Sequence, residues 1–274
     1  MTNSPDARVQ GAGSYVSVNG LEMYYEVHGT GQPLVLLHGA FSAIGTSFGE
    51  VLPKLAKSRQ VIALEMQAHG RTADIDRPLS MEQMADDTVA ALKMLGIDYA
   101  DFFGFSMGAG IALQVAIRHL EVVRKLVLAS VTYNESGVHP GLMDGLAEMK
   151  PEMMYGSPWH EEYMQIAPHP EDFATLFAKK TQMDREIQDL PAEAIEEIDA
   201  PTLLIIGDSD IVRPEHAVEM FRLLGGGVVG DLAGLPNSQL AVLPGTTHAT
   251  LPERGEWLGS MIGEFLDRPM PEAG

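Results

Sequence analysis

Gly104-Phe105-Ser106-Met107-Gly108 joins the apolar run Asp101–Phe105, which suits a buried strand, to Ala109–His119, which has the spacing of a helix. A glycine two residues either side of a serine, at a strand-to-helix turn, is what a nucleophile elbow requires. The backbone there is tightly turned, and side chains at those two positions would collide. The turn leaves the serine hydroxyl exposed above the end of the strand, and the helix that starts behind it favours developing negative charge. Ser106 is therefore the candidate nucleophile.

On both sides of this elbow, short Val/Leu/Ile-rich runs alternate with amphipathic stretches, the pattern of a mostly parallel, doubly wound α/β sheet. A hairpin is expected over Tyr15–Val18 and Leu21–Val27 around Asn19-Gly20, residues that tolerate the positive φ of a type I′ turn. Buried strands are expected at Leu34–Leu37, Val61–Leu64, Asp101–Phe105, Lys125–Ala129, Thr202–Ile206 and Gln239–Leu243, with helices near 46–57, 81–96, 107–119, 213–224 and 253–266. From Thr132 to Asp199 no strand-like run occurs, only helical segments containing methionine, glutamate and proline. The organisation expected is a core of residues 1–131 and 200–274 interrupted by a helical insertion over 132–199.

A serine at neutral pH needs a base, and the base needs an orienting acid. Gly207-Asp208-Ser209-Asp210 follows Thr202–Ile206, and Pro244-Gly245-Thr246-Thr247-His248 follows Gln239–Leu243. Ser106, Asp210 and His248 thus stand just beyond the C-terminal ends of three strands, where open α/β sheets build their sites. Asp208 is the alternative acid; whichever aspartate is left over serves as a turn residue bonded to its own backbone. The strand end Ala129-Ser130-Val131 offers no carboxylate. Acyl transfer also needs two backbone N–H donors for its oxyanion. One is Met107, directly after the nucleophile; the other comes from the loop that opens with His38-Gly39, assigned to Ala40 with Phe41 as the alternative. The His38 side chain is expected to brace that loop by hydrogen bonds.

Composition removes several function classes. The 274 residues are 45% hydrophobic, enough for a sizeable core, and 18 basic against 38 acidic residues give a net charge of −20 that repels nucleic acid and anionic membranes. Without cysteine there is no disulfide, thiolate zinc site or cysteine nucleophile. His160-Glu161 lacks the second histidine of an H-E-x-x-H pair, and the remaining histidines are scattered, so neither a metal nor a cofactor is expected. The polar stretch Met1–Asp6 lacks the features of a secretory signal, and no apolar run is long enough to span a bilayer. A cytoplasmic protein is expected, with a small molecule as its partner, no nucleic acid or membrane, and self-association left open.

In order and spacing, His38-Gly39, Gly104–Gly108, Gly207-x-x-Asp210 and Pro244-Gly245-x-x-His248 resemble the motifs of the α/β-hydrolase family, and the chain looks like a serine esterase-like member with a helical cap. The resemblance implies Ser106 as nucleophile, His248 as general base and acid, Asp210 as orienting acid, Met107 and Ala40 as oxyanion donors, and residues 132–199 as a cap over the site. Glu65-Met66-Gln67-Ala68-His69-Gly70-Arg71-Thr72 looks like the family's D-x-x-G-x-G-x-S loop, with Glu for Asp, Ala for the first Gly and Thr for Ser, and is read as structural. Relatives often carry a bulky residue where Ala40 stands.

The activity this implies is hydrolysis of small to medium, mostly apolar carboxylic esters, lactones included, through an acyl-enzyme. A C–C bond hydrolase, a cofactor-free lyase and a perhydrolase on the same triad are alternatives. A non-catalytic ligand-binding protein is a remote one, and a haloalkane dehalogenase is disfavoured because its nucleophile would be Asp where Ser106 stands. Met143, Met149, Met153, Met154, Met164 and Met183 suit an apolar, shape-tolerant pocket, although each can equally serve as packing. Lys150, Lys179, Lys180 and Arg185, the basic residues of the insertion, are expected on its outer face.

Overall fold

Residues 13–185 and 189–270 are described in the computed structural model; the polar stretch Met1–Asp6 lies outside them. Eight strands form one sheet: β1 (Ser14–Val18), β2 (Leu21–His28), β3 (Gln32–Leu37), β4 (Arg59–Leu64), β5 (Ala100–Phe105), β6 (Val123–Ala129), β7 (Thr202–Ser209) and β8 (Gln239–Thr247). Their order across the sheet is β1-β2-β4-β3-β5-β6-β7-β8. β2 runs antiparallel to β1 and β4, and every later pairing is parallel. The hairpin turns where Asn19 and Gly20 take φ of +49° and +84°.

The helices are α1 (Ile44–Phe48), α2 (Leu52–Leu55), α3 (Met81–Met94), α4 (Met107–Arg118), α5 (Leu142–Glu148), α6 (Pro158–Ile166), α7 (Phe173–Arg185), α8 (Ala192–Glu196), α9 (Pro214–Leu223), α10 (Gly230–Ala233) and α11 (Gly255–Asp267). The single helix expected over 46–57 is instead the pair α1 and α2. Pro53 has no N–H to donate to Gly49, so the ladder cannot run through. Between β6 and β7 the described residues contain helices and short helical turns but no strand; the bridge Val138–Val212 ties the start of this intervening segment to the loop after β7.

Alternation along the strands sorts the core into two layers. Val35, Leu37, Ile62 and Leu64 pack with residues of α3 and α4, such as Ala91 and Ala112. Leu34, Leu36, Val61 and Ala63 pack with Phe48, Leu52 and Leu258 of α1, α2 and α11. Phe173, Phe177 and Met183 of α7 join the first layer.

The N-terminal edge of the sheet is closed by charge. Asp101 at the start of β5 is fully buried and accepts hydrogen bonds from Arg59 of β4 (3.2 Å) and Arg124 of β6 (2.7 and 2.6 Å). Arg59 also pairs with Asp267, and the buried Lys125 ammonium donates to the carbonyls of Phe265 (3.2 Å) and Leu266 (3.1 Å) at the end of α11. Three strands and the last helix are riveted there, at the end opposite the elbow. Removing the shared acceptor leaves two guanidinium groups largely buried and short of a partner, so Asp101→Ala should lower unfolding free energy by about 3–5 kcal/mol in urea titration.

Candidate active site

Ser106 stands between β5 and α4 with φ +55° and ψ −118°, a conformation costly for any residue with a side chain. The two flanking glycines let it persist. A Cβ on Gly104 would lie 2.2 Å from the Gly108 carbonyl oxygen, and one on Gly108 would lie 1.9 Å from the Leu37 carbonyl oxygen of β3. Backbone meets backbone at both points, so α4 starts pressed against the sheet. The Ser106 N–H donates to Ala129 O (2.8 Å), which fixes the turn to β6.

The hydroxyl of Ser106 donates to His248 Nε2 at 3.0 Å, and His248 Nδ1–H donates to Asp210 Oδ1 at 2.9 Å. The structure thus brings together all three residues from separate strand ends. Phe105 packs its ring 5.1 Å from the imidazole, backing it from below. Asp210 is buried, and its second oxygen accepts from Ser130 Oγ (2.5 Å) and the Gly207 N–H (3.1 Å). Burial alone would raise the Asp210 carboxyl, but the hydrogen bond and charge of His248, with those from Ser130 and Gly207, hold it below the ordinary carboxylate value. Asp208 is exposed and instead caps the turn of β8, accepting from the N–H groups of Gly245 (2.9 Å) and Thr246 (3.2 Å).

Ser130 was legible only as a strand end without an acid. Its position at the tip of β6, beside β7, is what brings its hydroxyl onto Asp210, and the parallel pairing of those strands is the signal that locates it.

Ala40 and Met107 line the same cavity as Ser106, whereas Phe41 (φ +60°) turns its ring away to stack on Phe177 at 5.4 Å. Met107 opens α4, where the first N–H groups have no partner within the helix. His38 braces its loop: Nδ1–H donates to Gly39 O (2.7 Å) and Nε2 accepts from the Met66 N–H (3.0 Å). That pairing sets the tautomer. Burial lowers the His38 imidazole to about 4, and burial with neighbouring His38 lowers His69 to about 3.

The Glu65–Thr72 loop is structural in its contacts. The buried Glu65 carboxylate accepts from the Arg71 N–H and guanidinium (2.8 Å), and Thr72 Oγ1 donates to Glu65 O (2.7 Å). Burial pushes the Glu65 carboxyl up to about 7, with Arg71 opposing. Ala68 takes φ +64° where the family motif has glycine.

The cavity above Ser106 has a volume of about 750 Å³. Leu142, Met143, Leu146 and Met183 of the intervening segment line it together with Leu79, Met81 and Val131. Of the other methionines of that segment, Met154 is buried while Met153 and Met164 are exposed. One expectation is corrected here. Lys180 is not on the outer face but lines the cavity, with Nζ 2.5 Å from both oxygens of Asp184, one helical turn on, and 5.9 Å from the centre of the Phe41 ring. Lys179 bonds to the carbonyls of Ile75 (2.8 Å) and Arg77 (2.9 Å). Two consecutive lysines on a helix point about 100° apart, and α7 lies across the core, so both reach inward partners. Among the described residues no group of three or more His, Asp or Glu side chains is placed to hold a metal, and no helix is long and apolar enough to cross a membrane.

A family model described as the alpha/beta hydrolase fold matches residues 32–185, more than half of the chain. The chain belongs to the alpha/beta hydrolase family. Within it, the chain is 29% identical to the 2-hydroxymuconate semialdehyde hydrolase of Pseudomonas sp. (strain CF600), over 96% of this chain and 95% of that one. Its fold is shared with the enol-lactonase from Burkholderia xenovorans LB400 (TM-score 0.69, 19% identity, covering 93% of this chain and 100% of that one). A thermophilic esterase from Thermogutta terrifontis is also similar (TM-score 0.70, 22% identity, 94% and 98%). These similar proteins thus carry different activities in their names.

The buried histidines His38 and His69 carry a pH signature. Their folded-state values lie below the ordinary 6.5, so the stability they confer is present above pH 6.5 and is lost as pH falls towards about 4, by up to about 1.4 kcal/mol per pH unit for each. Glu65 acts oppositely: its raised value favours the folded state below 4.5, and that share is lost as pH rises to about 7. His216 is buried and lowered in the same sense, so these imidazoles outweigh Glu65 and acidification from pH 6.5 to 5 brings a net loss, to be read as a falling urea midpoint. In an NMR titration over that range, the ring protons of His38 and His69 should not move.

Proposed function

We propose that this hydrolase cleaves carboxylic esters, lactones included, by a serine acyl-enzyme route. The observation that carries the proposal is the unbroken hydrogen-bonded series from Ser106 through His248 to buried Asp210. As Ser106 Oγ attacks the ester carbonyl, its proton passes to His248 Nε2. Asp210 holds the imidazole in the Nδ1–H tautomer and stabilises the imidazolium that forms. The tetrahedral oxyanion accepts from the N–H groups of Met107 and Ala40, both of which line the cavity with Ser106; Phe41, which is not among the lining residues, stays the alternative second donor. Collapse expels the alcohol, which takes its proton from Nε2, and a water activated by the same nitrogen releases the acid. Residues 132–199 act as the cap, since Val138, Leu142, Met143, Leu146, Met183 and Leu190 all line the cavity above the serine.

The substrate is proposed to be uncharged. Among the described residues that line the cavity Lys180 is the one lysine or arginine, and Asp184 neutralises it. A second reading, hydrolysis of a carbon–carbon bond beside a ketone on the same triad, is favoured by the relative named for 2-hydroxymuconate semialdehyde. The paired state of Lys180 weighs against it, because such an acid needs a free cation for its carboxylate. Esters, lactones and a vinylogous diketone acid assayed side by side separate the readings: turnover of the diketone acid above that of p-nitrophenyl butyrate overturns the ester assignment.

Ser106→Ala and His248→Ala should each cut kcat for p-nitrophenyl esters by roughly 10³- to 10⁶-fold, with the double variant little worse, because the two groups act as one unit. Asp210→Asn should cost up to about 10⁴-fold and Asp208→Asn far less, with Ser130→Ala in between. The reverse order for the aspartates would move the acid to Asp208. Each added methylene contributes up to about 0.8 kcal/mol of burial, so KM for linear esters should fall with chain length until the cavity is full. Beyond that length kcat should drop. Dicarboxylate monoesters should be poorer substrates than neutral esters of equal length, and Asp184→Asn, which frees Lys180, should narrow that gap.

A further inference from the structure

The loop that carries Ala40 is held from two directions. On the core side, Gly39 O accepts from His38 Nδ1–H (2.7 Å) and Ser42 Oγ (2.8 Å), while the Gly39 N–H donates to Ser47 Oγ (3.2 Å). Because the Ser42 proton is spent on Gly39 O, the Ser42–Ser47 contact at 2.7 Å is a donation from Ser47. Gly39 C=O and Ala40 N–H belong to one planar peptide unit, so whatever fixes the oxygen fixes the direction of that N–H. Ser47 lies on α1, and the placement of Gly39 therefore depends on where α1 starts.

That start is fixed from the other side of the molecule. Glu162 of α6, in the intervening segment, reaches the first turn of α1 and accepts from the N–H of Ala43 (3.2 Å), the N–H of Thr46 (3.2 Å) and the Thr46 hydroxyl (2.5 Å). Gly45 is what admits it: a Cβ there would lie 2.2 Å from Glu162 Oε1. The same segment holds the loop a second time through Phe41, stacked on Phe177 and 6.4 Å from Phe173. Phe41 sits at φ +60°, a conformation worth about 1–2 kcal/mol of strain that persists only where neighbours enforce it. Glu162 itself is not among the residues that line the cavity above Ser106.

We infer that Glu162 is a positioning residue for the oxyanion site: its carboxylate clasps the cap to α1, and through Ser47, Ser42 and Gly39 it aims the Ala40 N–H. The inference rests on the acyl-transfer reading given above. It makes seating of the cap a condition for the second oxyanion donor, so the cap contributes to the rate on substrates too small to touch it.

The test uses p-nitrophenyl acetate, whose acyl group is too short to draw on the cap. Glu162→Ala should lower kcat about 10- to 100-fold, less than outright loss of an oxyanion donor, with KM within about twofold. The affinity of a trifluoromethyl ketone, whose adduct places an oxyanion in the site, should weaken by the same factor. Glu162→Gln keeps one acceptor oxygen and should restore most of both. If Glu162→Ala does not fold, Thr46→Val removes the hydroxyl that Glu162 holds while keeping the side-chain shape, and should show a smaller loss in the same direction. Wild-type kcat and ketone affinity in a folded Glu162→Ala, or in Thr46→Val where the alanine variant does not fold, overturns the proposal, as does a change confined to KM. Ser106→Ala measured alongside keeps the two readings apart: if it retains the wild-type rate, the acyl-transfer reading has failed rather than the clasp.

Discussion

Close backbone contact at the start of α4 is the constraint on which the rest of the site depends. Gly104 and Gly108 bring the helix onto β5 and β3 so tightly that neither could carry a Cβ without displacing main chain. Small residues continue the contact along the buried face of the helix, where Ala109, Ala112 and Ala116 are almost wholly excluded from solvent. A helix held this way cannot relax the turn before it, which is why Ser106 keeps a left-handed φ with its hydroxyl presented to the cavity. The strain is local, and the packing that maintains it is spread across three elements.

Phe105 links the parts around this turn. Its ring lies 3.0 Å from where a Gly39 side chain would begin and 5.1 Å from the His248 imidazole. It therefore separates the loop of Ala40 from the histidine while packing against both. The charged rivet around Asp101 has a complementary effect at the far edge of the sheet. Its charged groups find partners on β4, β6 and α11, which pins that end of the sheet, while Ser106, Asp210 and His248 stand at the carboxyl ends of β5, β7 and β8.

How much of this is legible without coordinates follows from the range of each interaction. The elbow is a five-residue pattern whose glycines answer to contacts made within the same turn and with the adjacent strand, so the residue types alone announce it. Asp210 and His248 are legible because strand ends on a parallel sheet share one edge. The break between α1 and α2 was legible in principle from Pro53, but the apolar spacing across 46–57 reads as one helix. Ser130, Glu162 and Lys180 were not readable. Ser130 matters through a partner 80 residues away and Glu162 through one 116 residues away, and nothing in the neighbouring sequence marks either. Lys180 was misplaced because charge on a helix normally faces water. Here Asp184, one turn on, neutralises it, and together they can face inward.

The intervening segment also has a consequence for biosynthesis. β6 pairs with β7 along Leu126–Ala129, but more than seventy residues of helix and loop are made between those strands, and the His248 partner of Ser106 follows 142 residues after it. At ordinary elongation rates, the nascent chain carries the serine turn without its imidazole for on the order of ten seconds. Through the first part of that interval Leu126, Val127, Leu128 and Ala129, all buried in the finished protein, form an apolar strand with one open edge, the kind of surface that recruits other chains. Helices that line the cavity in the folded enzyme thus set how long this edge waits for β7. Lengthening or shortening that segment therefore changes how long the edge stays open as well as the shape of the pocket.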